Sequence, residues 1–267
     1  MLYFKILEDK NMSDNRPIGI FDSGLGGISV LKEIVKLMPA ENYIYFGDSA
    51  NAPYGTKPVS EIRKLSMARA EYLMERDVKA IVVACNTATS AAINDLRKKY
   101  KDIPVIGIEP ALKPAIEGKD NPVVIVMATP STIREEKFGS LLNKYKDRGV
   151  IYPLPCPGLA DLVETGDLES EALYKYLLEL LRPYMHERID SVVLGCTHYP
   201  FVRNLIRKIL GDGPEIIDGS YGTAMQLRRK LLETDGLTDR TGKGTVCFES
   251  SDQNKIPMCR ILFGDGA

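Results

Sequence analysis

Tryptophan is absent from the 267 residues of this chain, and histidine occurs only twice. Two histidines leave little room for a metal site built from several imidazoles. Cysteine occurs five times, at 85, 156, 196, 247 and 259, without any CxxC spacing. An odd, scattered set argues against a secreted disulfide framework and for reduced thiols in a cytoplasm. Neither sign of charge dominates: 35 basic residues stand against 36 acidic ones, a net charge of −1. That removes the broad basic field expected of a protein that binds nucleic acid or a membrane surface. No apolar run approaches the roughly 18 residues a membrane helix needs. Near the N-terminus the apolar run Leu2–Phe4 is cut short by Lys5, Glu8, Asp9 and Lys10, too early for a signal-peptide core. The first fifteen residues read as a poorly ordered leader, with Met12 as an alternative start.

What remains is a globular composition, 44% hydrophobic and 27% charged. The length allows one large domain or two small ones, and a core that needs no disulfide or metal staple. Short apolar runs alternate with longer amphipathic stretches. Strands are predicted at 18–21, 43–46, 80–84 and 105–108, separated by helices at 28–38, 59–76 and 90–100. The order then recurs. Strands are expected at 123–127, 150–154, 191–194 and 215–217, with helices at 132–145, 170–186 and 200–210. Runs of Val and Ile without alternation suit strands buried on both faces, and strand–helix alternation implies parallel sheets.

Corresponding strands are shifted by 105–111 residues, as from Ile18 to Val123 or from Cys85 to Cys196. Such a shift reads as a distant internal duplication. Two similar α/β domains follow, with mostly parallel sheets, a pseudo-twofold relation and a cleft between them. The first takes residues 1–109 and 219–267, the second 110–218. The last stretch, with a helix at 223–233 and a strand at 245–249, has no counterpart and returns to the first domain as a completing segment.

The best-matched parts of the repeat are Ile81-Val-Val-Ala-Cys85-Asn-Thr87 and Val192-Val-Leu-Gly-Cys196-Thr-His198. Each places a thiol at the carboxyl edge of a buried strand, where open α/β sheets bind ligands. A helix start just beyond would lower the thiol pKa from about 8.5 toward neutrality. A lone cysteine there is usually a small buried apolar residue; two at equivalent positions point to chemistry. Thiols on either side of one carbon suit removal of a proton from one face and delivery to the other. One must be a thiolate and the other a thiol. That is a two-base racemisation or epimerisation needing neither metal nor pyridoxal phosphate.

Asp22-Ser23-Gly24-Leu25-Gly26-Gly27 follows the first strand, and its glycines permit a tight turn and close approach to a ligand. As a dinucleotide fingerprint it fails at Ser29, and no Walker lysine is present. A nucleotide-binding module without chemistry is nevertheless the rival from another class. Asp22 reads as a site carboxylate. The polar loop 47–55 is either a binding loop or ordinary surface, with Asp48 equally a turn cap. Thr129 fits a helix cap at least as well as a ligand contact. His198 either assists Cys196 or joins it as a metal ligand, but the other cysteines and His186, placed at a helix C-terminus, offer no matching spacing. No metal is expected. Cys156, Cys247 and Cys259 read as inert, and Glu164 as a surface acid.

The motifs Phe21–Gly27, Asp48–Gly55, Ala84–Ala88 and Gly195–Pro200 together resemble those of the glutamate racemases, over about Ile18–Leu210 and more weakly to Glu249–Asp252. The resemblance implies cofactor-independent interconversion of L- and D-glutamate, supplying D-glutamate for peptidoglycan, by a cytoplasmic homodimer. By the same resemblance Cys85 takes the α-proton of the D-enantiomer and Cys196 that of the L-enantiomer. Asp22 and His198 assist them, and Glu164 is an acid near the site. Ser23, Pro53, Tyr54, Gly55, Asn86, Thr87, Thr129 and Thr197 are assigned to substrate contact with Asp22 and His198. Aspartate racemases, the rival of the same class, typically carry Glu where this chain has His198. The leader and the tail after Asp252 depart from the family pattern.

Overall fold

The computed structural model describes residues 13–264. Among these, nine strands form two sheets, and every pairing is parallel. In chain order they are β1 (Ile18–Asp22), β2 (Tyr43–Gly47), β3 (Ala80–Val83), β4 (Val105–Gly107), β5 (Val123–Ala128), β6 (Val150–Pro155), β7 (Ser191–Leu194), β8 (Glu215–Asp218) and β9 (Val246–Ser250). The first sheet runs β4-β3-β1-β2-β9 and the second β6-β5-β7-β8. Read from the opposite end, the second is β8-β7-β5-β6, the order of the first four strands of the first sheet. The two lobes therefore repeat one topology, and β9 is the addition, paired in register with β2 from Tyr43↔Val246 to Gly47↔Ser250.

Helices cover both faces of each sheet, which is why β1, β3 and β7 are buried along their whole length. In the first lobe, one face packs Ile18, Ile20 and Val82 against Leu31, Leu227 and Cys259; the other packs Phe21, Ile81 and Val83 against Ile62, Leu73 and Leu96. Each such aliphatic side chain taken fully from water contributes about 1.5–3 kcal/mol. Phe201 packs against the first lobe's inner cluster and the second's. β6 is an edge strand and largely exposed, and Pro153 within it costs no central ladder bond.

Several elements differ from the sequence reading. The helix expected over 132–145 is two, Pro130–Arg134 and Glu136–Tyr145, because Glu135 between them is extended (φ −72°, ψ 139°). The helix expected to reach residue 186 ends as Glu171–Leu181. Pro183 lies in the 3₁₀ turn Arg182–Tyr184 that follows, and His186 sits beyond it in an exposed turn rather than at a helix end. Residues 199–202 form a 3₁₀ turn before the helix Arg203–Leu210. The tail carries a helix, Ile256–Phe263, packed on the helix Ile28–Leu37.

Residues 1–12 of the expected leader lie outside the described residues. Its last three are fixed: Ser13 Oγ donates to Asp239 (2.7 Å), Thr238 Oγ1 donates to Asn15 (2.6 Å), and Lys79 Nζ donates to the Asp14 carbonyl (2.5 Å). Lys79 also pairs with Glu41 at 2.6 Å, both side chains being almost wholly buried.

Candidate active site

β3 ends at Val83 and β7 at Leu194, and in each lobe the cysteine follows two residues later. The shared topology thus delivers Cys85 and Cys196 to the carboxyl edges of equivalent strands. Both line one small enclosed cavity of about 20 Å³, space for roughly one water molecule. Ser23, Asn86, Thr87, Thr197 and His198 line it too, and Pro53, Thr129 and Glu164 complete the polar and loop-borne part of its wall. A wider opening of about 300 Å³ adjoins it, sharing Pro53, Thr129 and Ala160.

The two thiols have different surroundings. Cys85 caps the helix Asn86–Lys99, accepting from Ala88 N–H (3.4 Å) and donating to Ser23 Oγ (3.6 Å). Burial pushes the Cys85 thiol well up, the Asp22 carboxylate adds to this, and the Ala88 N–H and Ser23 counter it without winning. The sequence reading, in which the helix start brings the thiol toward neutrality, is overturned here by desolvation. Cys196 precedes a 3₁₀ turn, not an α-helix, and its Sγ lies 3.7 Å from His198 Nδ1.

His198 Nε2 lies 2.6 Å from Glu164 Oε1, which also accepts from Leu25 N–H at 2.6 Å. Burial opposes charge on His198, yet its hydrogen bonds to Cys196 and Glu164 hold its pKa well above the ordinary value. Burial likewise opposes charge on Glu164, but the His198 hydrogen bond and charge hold its carboxyl below the ordinary value. Both directions favour an imidazolium facing a carboxylate. Glu164, read from sequence as a surface acid, is half-buried between the lobes.

Asp22 is fully buried, and burial pushes its carboxyl up despite the nearby His198. Its Oδ2 accepts from Gly24 N–H (3.2 Å) and Gly27 N–H (3.0 Å), and its Oδ1 from Thr197 Oγ1 (3.3 Å). It does not line the cavity. It acts on Cys85 through charge, while Ser23 makes the direct contact.

The glycine turn is also constrained by close side-chain contacts that the sequence does not reveal. A Cβ at Gly24 would collide with the Glu164 carboxylate, and one at Gly26 would come within 2.5 Å of His198 Nδ1. The turn therefore closely approaches side chains of the other lobe. Tyr54 and Gly55 do not line the small cavity, but Gly55 lines the wider opening beside it. The Tyr54 hydroxyl donates to Asp48 Oδ2 (2.6 Å) in the first lobe's core, and Gly55 packs on Thr129. Asp48 is fully buried and accepts from Asn51 as well, which makes it the anchor of loop 47–55.

Thr129 has two settings in the structure. It caps the helix Pro130–Arg134 by accepting from Thr132 N–H (3.2 Å), and it faces the cavity. With Thr87 and Thr132 it forms a hydroxyl triangle across the seam, with sides of 2.9–3.2 Å. Asn86 stands apart: among the described residues neither its Nδ2 nor its Oδ1 has a hydrogen-bond partner, although both are buried. Ala52 and Ala160 also line the cavity; small apolar side chains carry no signal that sequence reasoning can use. Among the described residues no group of three or more His, Cys, Asp or Glu is placed to hold a metal ion, and no helix is long and apolar enough to cross a membrane.

A family model described as Asp/Glu/Hydantoin racemase matches residues 18–225, a span holding both thiols and every lining residue. The chain belongs to that racemase family. It is an amino-acid racemase, as the sequence resemblance implies. A glutamate racemase from Clostridium novyi is 55% identical over 251 residues, 93% of this chain and 97% of the relative. Among solved structures, a glutamate racemase isoform from Bacillus anthracis superposes with a TM-score of 0.84 at 31% identity, covering 96% of this chain and 95% of that one. The glutamate racemase of Francisella tularensis, solved in complex with D-glutamate, gives 0.81 at 33% identity, over 94% of both chains. These racemases share the two-sheet parallel fold.

Proposed function

We propose that this racemase interconverts L- and D-glutamate by a two-thiol mechanism without a cofactor. The observation that carries the reading is the pair Cys85 and Cys196, equivalent in the repeat and facing one cavity. With L-glutamate, the Cys196 thiolate takes the α-proton and the C–H electron pair moves toward the α-carboxylate. Cys85 S–H then returns a proton to the opposite face and becomes the thiolate. The enzyme is left in the form that takes D-glutamate, and exchange with water restores the first form. The raised pKa of Cys85 supports its role as the proton donor in this direction. The cationic His198 beside Cys196 Sγ offers a positive partner to negative charge there. Asn86, with an unpartnered donor and acceptor, matches a ligand carrying both an ammonium and a carboxylate.

The relatives named above support glutamate over aspartate, as does His198. Supply of D-glutamate to peptidoglycan, a cytoplasmic location and a homodimer belong to the same reading. So does a division into one domain of residues 1–109 with 219–267 and another of 110–218. The test is incubation with either enantiomer of glutamate in deuterated water. The expected result is deuterium at the α-carbon of the inverted product and loss of optical rotation. Inversion without deuterium would exclude solvent-exchanging thiols, and faster turnover of aspartate would reassign the substrate.

A further inference from the structure

The helix Leu159–Glu164 is one wall of the cavity, to which it presents Ala160 and Glu164, a turn apart. Its end is gripped from the other lobe. Lys255, in the 3₁₀ turn Gln253–Lys255 just after β9, donates from Nζ to the Glu164 carbonyl at 3.0 Å, and the same Nζ lies 3.9 Å from Glu164 Oε2. Two residues on, Gly166 (φ +83°) meets Met258, whose Cε would lie 2.5 Å from an added Cβ. On the other side Leu25 N–H holds Glu164 Oε1. Glu164 thus belongs to one lobe and is clasped at its carbonyl and its carboxylate by the other, while that carboxylate faces His198.

The geometry points to Lys255 as a positioning residue: the C-terminal segment latches the helix Leu159–Glu164 so that Glu164 meets His198 and, through it, Cys196. A lysine at the last carbonyl of a helix also complements its negative end. The latch bears most directly on one thiol. Glu164 reaches Cys196 through His198, whereas the contacts of Cys85 come from Ser23 and from its own helix, so weakening the latch handicaps the Cys196 step more than the Cys85 step. This rests on the racemase reading.

Because enantiomers have equal energies, kcat/KM is the same in both directions for any variant, and the asymmetry must be read elsewhere. It is read by comparing α-deuterated L- and D-glutamate in Lys255→Met, Lys255→Arg and the native enzyme, with hydrogen exchange of all three. We expect Lys255→Met to lower kcat/KM about tenfold and to raise the isotope effect for L-glutamate relative to that for D-glutamate. Exchange should quicken in 159–166 and not in the strands, and Lys255→Arg should recover most of the activity. A Lys255→Met enzyme with native kinetics and native exchange in 159–166 would overturn the latch. A native enzyme inactive on glutamate would overturn the functional reading instead, and the exchange comparison would still decide whether Lys255 holds the helix.

Discussion

Cys85 and Cys196 stand two residues beyond the third strand of their respective sheets, one in each half of a repeated topology, and open onto the same cavity. Their environments are nevertheless unlike. Cys85 caps its helix and is hydrogen-bonded to Ser23, whereas Cys196 leans on the His198–Glu164 pair. A duplicated scaffold has been dressed differently on its two sides.

Both thiols are required by the proposed chemistry. Cys85→Ala and Cys196→Ala should each lower racemisation by at least about 10³-fold, within the range for loss of an essential acid or base. Polarimetry with either enantiomer measures it. Near-native turnover by either variant would defeat the two-thiol scheme.

The glycines at 24 and 26 are needed for side chains of the opposite lobe, not for turn geometry alone. Gly26→Ala sets its Cβ within 2.5 Å of His198 Nδ1 and 2.6 Å of Thr197 Oγ1. The variant should lose about 10²-fold in kcat/KM and melt several degrees lower, a common response to overpacking of about 1–3 kcal/mol. Calorimetry and kinetics on one preparation test both effects. Native values of both would mean that the seam gives way freely.

Asn86 makes an unusual prediction, since its buried amide has no hydrogen-bond partner among the described residues. An unpartnered buried polar group costs about 1–3 kcal/mol. Asn86→Ala should therefore leave the free enzyme's stability unchanged or higher, while KM for glutamate rises about tenfold or more. Denaturant melts and Michaelis–Menten kinetics separate the two. A less stable variant with unchanged KM would show that Asn86 is structural.

The His198–Glu164 pair imposes a pH window. The folded pKa of Glu164 lies below its ordinary 4.5, so its contribution is complete above 4.5 and is lost as pH falls through the folded value. The folded pKa of His198 lies above its ordinary 6.5, so its contribution is complete below 6.5 and is lost as pH rises through the folded value. The stability difference between the native enzyme and Glu164→Gln should therefore be largest between these two pH values and shrink on both sides. Urea melts across that range measure it; a difference independent of pH would mean that the pair is not charged.

Much of this molecule is legible along the chain. The uninterrupted Val and Ile runs announce buried parallel strands, and the repeated order of strands announces two matching sheets. The cysteine after Ile81-Val-Val-Ala and the one after Val192-Val-Leu-Gly can be picked out because their local surroundings repeat. These features are local: apolar periodicity and strand ends are written into consecutive residues. Glu164, Tyr54 and the glycine turn were not legible in this way. Glu164 gains its role from His198, Leu25 and Lys255, which lie 34, 139 and 91 residues away in sequence. The Tyr54 hydroxyl donates to Asp48, a buried carboxylate that requires a partner, and nothing local in the sequence marks that pairing.

The sequence by itself determined the strands, their repetition and the identity of the two thiols, because backbone propensity and strand-end chemistry act over a few residues. Only the tertiary structure decided which carboxylate pairs with His198, that Cys85 is pushed toward its protonated form, and that the C-terminal segment grips the opposite lobe. Desolvation and ion pairing depend on what surrounds a group in three dimensions, and here those surroundings are assembled from both lobes.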